Sequence, residues 1–164
     1  EEQKRKMEAA TEGTKVSVTQ TADNQLKLNV PSDISFDTGQ STIKPEMHPV
    51  LNSLAKGIIS NPNSQVTIIG YTDDTGNDSI NIPLSVNRAA STRAYLVSQG
   101  IDSNRISIDG RGASEPVVAN TSPENRAKNR RVEIFVKEPQ PQQQRQQELP
   151  QHQEQQQYIQ QPAY

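Results

Sequence analysis

Two side chains of opposite charge, Asp73 and Arg88, are separated by fifteen positions in this sequence. Asp73 closely follows a short β-branched apolar segment typical of a buried strand, and Arg88 lies in the first turns of a predicted helix. A carboxylate at a strand end and a guanidinium on the next helix can face one another across the connecting loop. Such a pair forms a slot with one negative and one positive wall, which suits a zwitterionic ligand. The two residues could instead form an ordinary structural ion pair.

Residue types that serve catalysis or metal binding are scarce. The chain has no Cys, which excludes a thiolate nucleophile and a Cys-based zinc site. Its two histidines are His48, which we expect on the surface of a helix, and His152, which lies in a polar tail. The acidic run 73–78 does not match the calcium-loop pattern, and carboxylates adjacent in sequence do not form a glycosidase pair. We therefore expect no catalytic residue, no metal ion and no cofactor.

The composition indicates a single domain with a polar end. The 164 residues carry a net charge of −2 and show no run of Lys or Arg, so nucleic-acid binding is not expected. No window has the roughly 18 continuous apolar residues of a membrane span. The first residues are charged and position 1 is not Met, so we expect a fragment whose native N-terminus carried an export signal or a tether.

Local patterns divide the chain into three segments. Residues 1–13 are charged helix formers, expected to form a linker or the end of a connecting helix outside the core. Residues 14–137 hold the folded domain. Residues 138–164 contain 13 Gln and four Pro and are expected to be disordered, because they cannot bury enough apolar surface to offset chain entropy. This tail could bind a partner protein, although a solvated end without a fixed partner is favoured.

Strand and helix patterns alternate within residues 14–137. Segments 15–19 and 26–30 alternate apolar with polar residues around a turn-rich stretch, which predicts a β-hairpin. Residues 34–36 are expected to be extended, and Ile59 and Val97 are expected to face inward from their helices. Further strands are predicted at 65–71, 106–108 and 132–136, and helices at 45–60, from 81 or 83 to 100, and at 123–129. This alternation predicts an α+β fold on one mixed sheet.

Several motifs occur at fixed spacing through the same region. They are Gly70-Tyr71-Thr72-Asp73 with Gly76, Asn81 with Leu84-Ser85 and Arg88-Ala89, Gly110-Arg111-Gly112 with Pro116, Arg126 followed by Asn129-Arg130-Arg131-Val132-Glu133-Ile134, and an upstream Phe36-Asp37 pair. Together they resemble the OmpA-like peptidoglycan-associating domain of outer-membrane protein A, the Pal lipoproteins and the flagellar MotB stators. The resemblance covers roughly residues 14–137, and the hairpin is similar to the YiaD-like lipoprotein branch.

The resemblance implies an α+β fold with a βαβαβ core, a mixed sheet and an N-terminal β-hairpin. It also implies a non-catalytic module that binds peptidoglycan through the diaminopimelate of the stem peptide. Such a module anchors an envelope protein or complex to the cell wall. The implied location is the periplasm of a diderm bacterium, with a tether to the outer membrane outside this fragment and with the tail available to envelope-protein partners.

The same resemblance assigns roles to individual residues. Asp73 takes the distal ammonium of diaminopimelate, and Arg88 grips the distal carboxylate through its planar fork. Further residues are expected to complete the slot: Phe36, Asp37, Thr38, Gly39, Asn81 and Arg130. Phe36 could equally belong to the core, and Asp37 could be a turn former. Of the neighbouring Arg130 and Arg131, one is expected at the slot and the other in a structural contact.

Two functions of other classes stay open at this point. A peptidoglycan-processing enzyme is disfavoured, because neither a set of zinc ligands nor a Cys or His nucleophile can be assembled from these residues. An assembly protein that recognises another envelope protein would leave the slot empty. Turnover of purified sacculi separates the first alternative from a binding module, and sacculus binding without other proteins separates the second.

Overall fold

The computed structural model describes residues 2–138 of the chain. In chain order the elements are α1 Glu2–Thr11, β1 Ser17–Gln20, β2 Leu26–Pro31, α2 Ser32–Ser35, α3 His48–Ser60, β3 Gln65–Tyr71, α4 Asp78–Ser98, β4 Ile106–Gly110, α5 Pro123–Asn129 and β5 Arg131–Lys137. Short 3₁₀ turns at Pro45–Met47 and Ser103–Arg105 precede α3 and β4. Apart from Glu138, the tail 138–164 lies outside the described residues, and its disorder stays a prediction.

The five strands form one mixed sheet in the order β1-β2-β5-β3-β4. Strands β3 and β4 are parallel, and the other neighbouring pairs are antiparallel. The register places Leu28 opposite Ile134 and Ile134 opposite Ile68, so apolar residues of three strands line up on one face. The parallel pair needs a crossover connection, which α4 supplies. The predicted α+β class, mixed sheet and N-terminal hairpin are confirmed.

Helix α3 packs on the apolar face of the sheet because its apolar residues recur at three- and four-residue steps. They are Val50, Leu51, Leu54, Ala55 and Ile58. Ile59 is one residue further round the helix and is 48% exposed, and Val97 in α4 is exposed in the same way beside buried Leu96. The expectation that Ile59 and Val97 face inward is therefore wrong.

Helix α1 is part of the domain rather than a linker outside the core. Its Met7 side chain is only 1% exposed and belongs to the main apolar cluster with residues of α3 and the sheet. Because the residues around Met7 are charged, its burial could not be recognised from the sequence. The helical character of 1–13 was predictable from its helix formers, but the expectation that it stays outside the core is wrong.

Two further elements differ from the expectation. Residues Ser32–Ser35 form a helical turn, in which the Phe36 N–H donates to the Ser32 carbonyl at 2.8 Å, and only Phe36 itself is extended. Helix α4 begins at Asp78, earlier than predicted, and passes through Pro83. Pro83 lies in the second turn, where its missing N–H removes one bond to the carbonyl four residues earlier. No helix within residues 2–138 is long and apolar enough to cross a bilayer.

Candidate functional site

A cleft of about 540 Å³ opens where the end of β3, the first half of α4 and the loop after α2 meet. Seven of the eight side chains or loop residues expected at the slot line it, and Asp37 is the exception. The lining residues are Asp33, Phe36, Thr38, Gly39, Thr72, Asp73, Thr75, Gly76, Ile80, Asn81, Leu84, Arg88 and Arg130. The cleft thus brings together residues that are nearly 100 positions apart in the sequence.

The position of α4 above the sheet depends on two glycines. A Cβ on Gly70 would lie 2.2 Å from the Ser85 carbonyl oxygen, and one on Gly110 would lie 2.4 Å from the Val86 backbone nitrogen. Any side chain at either position would push the helix away from β3 and β4. The Ser85 hydroxyl also accepts from the Gly112 N–H at 3.0 Å, which ties the loop after β4 to the helix. This close packing fixes Arg88 relative to the end of β3.

Asp73 forms a negative pole at the end of β3. It is only 6% exposed, and its two carboxylate oxygens accept from the Thr75 N–H at 2.8 Å and from Nη1 of Arg130 at 2.5 Å. Burial by itself raises the pKa of the Asp73 carboxyl, but these hydrogen bonds outweigh burial and hold the pKa below its ordinary value. Asp73 is therefore ionised at neutral pH.

Arg130 links Asp73 to a second carboxylate that the sequence did not single out. Its Nε and Nη2 donate to the two oxygens of Asp33, each at 2.8 Å, in a two-pronged contact. The hydrogen bonds from Arg130 lower the pKa of the Asp33 carboxyl, and the carboxylates in turn raise the pKa of Arg130. The three residues form an ion triad, Asp33–Arg130–Asp73, with a formal charge of −1.

Arg88 forms the positive pole. It is only 4% exposed, and its guanidinium carbon lies 4.9 Å from the centre of the Phe36 ring. Its Nε donates to the Gln40 carbonyl at 2.9 Å and its Nη2 to the Asp37 carbonyl at 3.3 Å. Burial lowers the pKa of Arg88 from its ordinary value, as expected for a cation without a bonded carboxylate. Because the two carbonyls take one edge of the guanidinium, the outer edge formed by Nη1 and Nη2 remains as a two-pronged donor.

The loop after α2 adds backbone donors beside this pole. The Gln40 N–H donates to the Asp37 carbonyl at 2.9 Å, which closes a tight turn with Gly39 at a φ of +69°. The N–H groups of Thr38 and Gly39 have no hydrogen-bond partner among residues 2–138. Together with Arg88 they give this end of the cleft several hydrogen-bond donors, a composition that suits an anionic group.

The family of the chain follows from a comparison of its sequence with known families. Residues 35–130, which contain most of the cleft, match the OmpA family. The chain belongs to the OmpA family. The resemblance carried by the sequence motifs is therefore confirmed.

Individual OmpA-family relatives cover the chain to different extents. A protein of Escherichia coli named "Probable lipoprotein YiaD" is 40% identical over 134 residues, which is 82% of this chain and 61% of that protein. The "Peptidoglycan-binding protein ArfA" of Mycobacterium tuberculosis is 42% identical over 117 residues, 70% of this chain and 36% of ArfA. The solved structure of the cell wall anchor of the T6SS from Pseudomonas aeruginosa has a TM-score of 0.73 and 27% identity, covering 82% of this chain and 96% of that one. The chain spans less than two thirds of the length of YiaD or ArfA.

The structure shows how the opposite charges of the expected slot are arranged. Asp73 and Arg88 line the same cleft, but no hydrogen bond joins them; Arg130 is the cation that Asp73 contacts. The Asp37 side chain differs from the expectation, since it is 79% exposed, lies 3.9 Å from the Lys44 ammonium and does not line the cleft. Asp37 serves the cleft through its carbonyl, which holds Arg88.

Phe36 and Asn81 turn out to have structural contacts as well as cleft-facing surface. Phe36 is 3% exposed, belongs to the apolar cluster and also lies under the Arg88 guanidinium, so the wall and core interpretations both hold. The buried Asn81 amide donates to the Asp73 carbonyl at 3.4 Å, a long contact that ties α4 to the end of β3.

The two neighbouring arginines are divided as the sequence suggested. Arg130 lies on the cleft, whereas Arg131 lies on the other face of the sheet, 3.7 Å from the centre of the Tyr71 ring and bonded to Glu133 at 2.8 Å. Asn129 is fully buried and bonds the backbone of Val118. Arg131 and Asn129 therefore stabilise the fold beside the cleft without lining it.

Residues that sequence reasoning missed include Asp33 and an apolar pair on α4. Ile80 and Leu84 precede Arg88 by eight and four positions, a helical spacing that places all three on one face. Ile80 is 59% exposed. The spacing was visible in the sequence, but the expected later start of the helix concealed it. For Asp33 no local signal exists, because its partner lies 97 positions away.

Residues that could support other chemistry are not assembled in this part of the chain. Within residues 2–138, no three His, Cys, Asp or Glu side chains are grouped to hold a metal ion. His48 is half-buried rather than on the surface as expected, and its ring stacks on Tyr95 with centroids 4.7 Å apart. It lies outside the cleft lining.

Proposed function

We propose that this domain binds peptidoglycan without cleaving it, by holding the distal zwitterionic end of diaminopimelate in the cleft. In this arrangement Asp73 accepts the distal ammonium, and the outer edge of Arg88 donates to the distal carboxylate. The N–H groups of Thr38 and Gly39 assist Arg88, and Asn81 borders the ligand. The distal ammonium and the distal carboxylate are attached to the same carbon atom, so a protein site for them needs two opposite poles within one cleft.

The observation that carries the proposal is the separation of the two poles. The ion triad keeps a net charge of −1 at one end, and Arg88 at the other end has no carboxylate bonded to it among residues 2–138. If Asp73 and Arg88 formed a structural ion pair, each would neutralise the other and neither charge would be available to a ligand. A buried guanidinium held only by carbonyl oxygens is instead available for an anionic ligand group.

The relatives support the class of ligand. ArfA is named as a peptidoglycan-binding protein, and the T6SS protein is described as a cell wall anchor. YiaD is named as a lipoprotein. By extension, we place this domain in the periplasm of a diderm bacterium as the wall-binding part of a tethered envelope protein. Because the chain spans only part of these relatives, its tether, its larger complex and partners of the tail belong to the proposal as well.

Co-sedimentation with purified sacculi tests the proposal. Wild-type protein is expected to pellet with sacculi in the absence of other proteins, and Asp73→Asn is expected to remain in the supernatant. Asp74→Asn is the matched control, since the neighbouring carboxylate is exposed and does not line the cleft. If the wild type fails to pellet, the domain does not bind peptidoglycan; release of soluble muropeptides from the sacculi would instead indicate an enzyme.

A further inference from the structure

We propose that Asp33 is a positioning residue that sets the strength of the negative pole by holding Arg130 away from full contact with Asp73. The inference rests on the proposed function, because the group whose binding Asp33 would control is the distal ammonium of the ligand. Asp33 itself lies at the edge of the cleft on α2, and its side chain is half exposed.

All three guanidinium nitrogens of Arg130 take part in the ion triad. Nε and Nη2 are directed at the two oxygens of Asp33, at 2.8 Å each, whereas Nη1 alone donates to Asp73. The edge of Arg130 that forms a bidentate contact therefore faces Asp33. Asp73 accepts a single hydrogen bond from Arg130.

This division leaves Asp73 able to bind a second cation. An ionised carboxylate has about four acceptor positions, and Asp73 uses two of them, for the Thr75 N–H and for Arg130. Without the carboxylate of Asp33, the two-pronged edge of Arg130 is released and can turn to Asp73. The negative pole then becomes a neutral ion pair, whose attraction for an ammonium is much weaker than that of a triad with charge −1.

The role of Asp33 can be measured with two ligands that differ in one group. The first is a disaccharide tripeptide that ends in diaminopimelate, and the second is the same molecule acetylated on its distal amine. Acetylation removes the positive charge that Asp73 would bind and keeps the carboxylate that Arg88 would bind. Calorimetric titration gives both dissociation constants. The dissociation constant of the acetylated ligand divided by that of the free-amine ligand reports the preference of each variant for the ammonium.

We expect Asp33→Asn to lower this ratio about three- to fivefold, the upper part of the range for loss of a partly exposed charge contact. The loss should come from weaker binding of the free-amine ligand, while affinity for the acetylated ligand stays within about twofold. Asp33→Glu, which keeps the charge, is expected to restore most of the preference. Asp74→Asn removes the same charge from a residue that does not touch Arg130 and is expected to leave the ratio within about twofold.

A second background tests whether Asp33 acts through Arg130. In an Arg130→Gln protein, adding Asp33→Asn is expected to change the ratio no more than Asp74→Asn does. A full effect in that background would show direct attraction by Asp33 and would overturn the inference. An unchanged ratio in Asp33→Asn, or equal weakening of both ligands, would overturn it too. Failure of the proposed function is distinguishable, because the wild type would then bind neither ligand.

Discussion

Replacing Arg88 with Lys separates the charge of the positive pole from its shape. In the structure one edge of the Arg88 guanidinium holds the carbonyls of Gln40 and Asp37, at 2.9 and 3.3 Å, and the residue lines the cleft. A lysine ammonium keeps the charge but cannot donate to two loop carbonyls and to both oxygens of a ligand carboxylate in the same geometry. The Arg88→Lys variant should therefore lose both stability and affinity.

The size of each loss follows from the bonds involved. In Arg88→Lys the loop after α2 loses the hydrogen bonds to the Gln40 and Asp37 carbonyls, one at 2.9 Å and one longer at 3.3 Å. Together they are worth about 1–2 kcal/mol of unfolding free energy. The ligand loses one charge-assisted hydrogen bond, worth about 1.5–3 kcal/mol, which raises the dissociation constant about 10- to 100-fold. The expected stability loss lowers the thermal midpoint by about 3–8 °C.

Helix α4 offers a matched control in Arg93. Its Nε donates to the Ile106 carbonyl and its Nη2 to the Ser103 carbonyl, each at 3.1 Å, so the same two nitrogens hold two carbonyls outside the cleft. Arg93→Lys is expected to lower the free energy of unfolding by a similar amount while the affinity for the ligand stays within twofold. The comparison separates loss of a helix–loop contact from loss of the ligand contact.

The assay is calorimetric titration with a diaminopimelate muropeptide, combined with urea unfolding of each variant. The reasoning is refuted if Arg88→Lys binds within threefold of the wild type. It is also refuted if Arg93→Lys weakens binding as much as Arg88→Lys does, because the effect would then arise from general loosening of α4.

Three further expectations concern stability. Because the pKa of Asp73 is lowered in the fold, its ion contacts stabilise fully above about pH 4, the ordinary carboxyl value. That stabilisation is lost as the pH falls through the lowered pKa, so thermal midpoints between pH 2 and 6 should fall less steeply in Asp73→Asn. Gly70→Ala should lower the free energy of unfolding, measured in urea, by about 2 kcal/mol or more, since its Cβ would meet the Ser85 carbonyl at 2.2 Å. Gly57→Ala, which meets only a flexible side chain, should stay within about 1 kcal/mol. Met7→Ala should cost about 2 kcal/mol or more if α1 is integral to the core, and an unchanged urea midpoint would contradict that.

Much of the cleft could be predicted because its residues lie in local motifs. Asp73 at a strand end and Arg88 on the following helix are positioned by elements whose periodicity is plain in the sequence. The contact between Asp73 and Arg130 could not be predicted, since 57 positions separate them and both arginines of the Arg130-Arg131 pair are chemically equal candidates. Only the strand register decides which one reaches the cleft: Arg131 pairs with Tyr71, and Arg130 is the residue that precedes β5.

The fold was predictable where apolar residues follow a clear period and unpredictable where a single residue decides. Alternation at 15–19 and 26–30 predicted the hairpin strands that the sheet confirms, and the three- and four-residue steps predicted α3. In α1, buried Met7 packs on the core with only partly buried Ala10 beside it, and these two residues form no repeating apolar pattern in the sequence. The turn Ser32–Ser35 is likewise too short to show a period in the sequence. It follows Pro31 and is closed by one backbone hydrogen bond.

The most direct test of the two-pole cleft is a comparison of diaminopimelate with lysine in otherwise identical muropeptides. Lysine keeps the distal ammonium for Asp73 and removes the distal carboxylate, so Arg88 is left in a buried site without its partner. An unpaired charge of this kind costs roughly 2–5 kcal/mol, which corresponds to about 30-fold to several thousandfold in affinity. Calorimetric titration should therefore show binding of the diaminopimelate form at least about 30-fold tighter. Equal affinity for the two forms would contradict the zwitterion-binding cleft, even if the domain still bound sacculi.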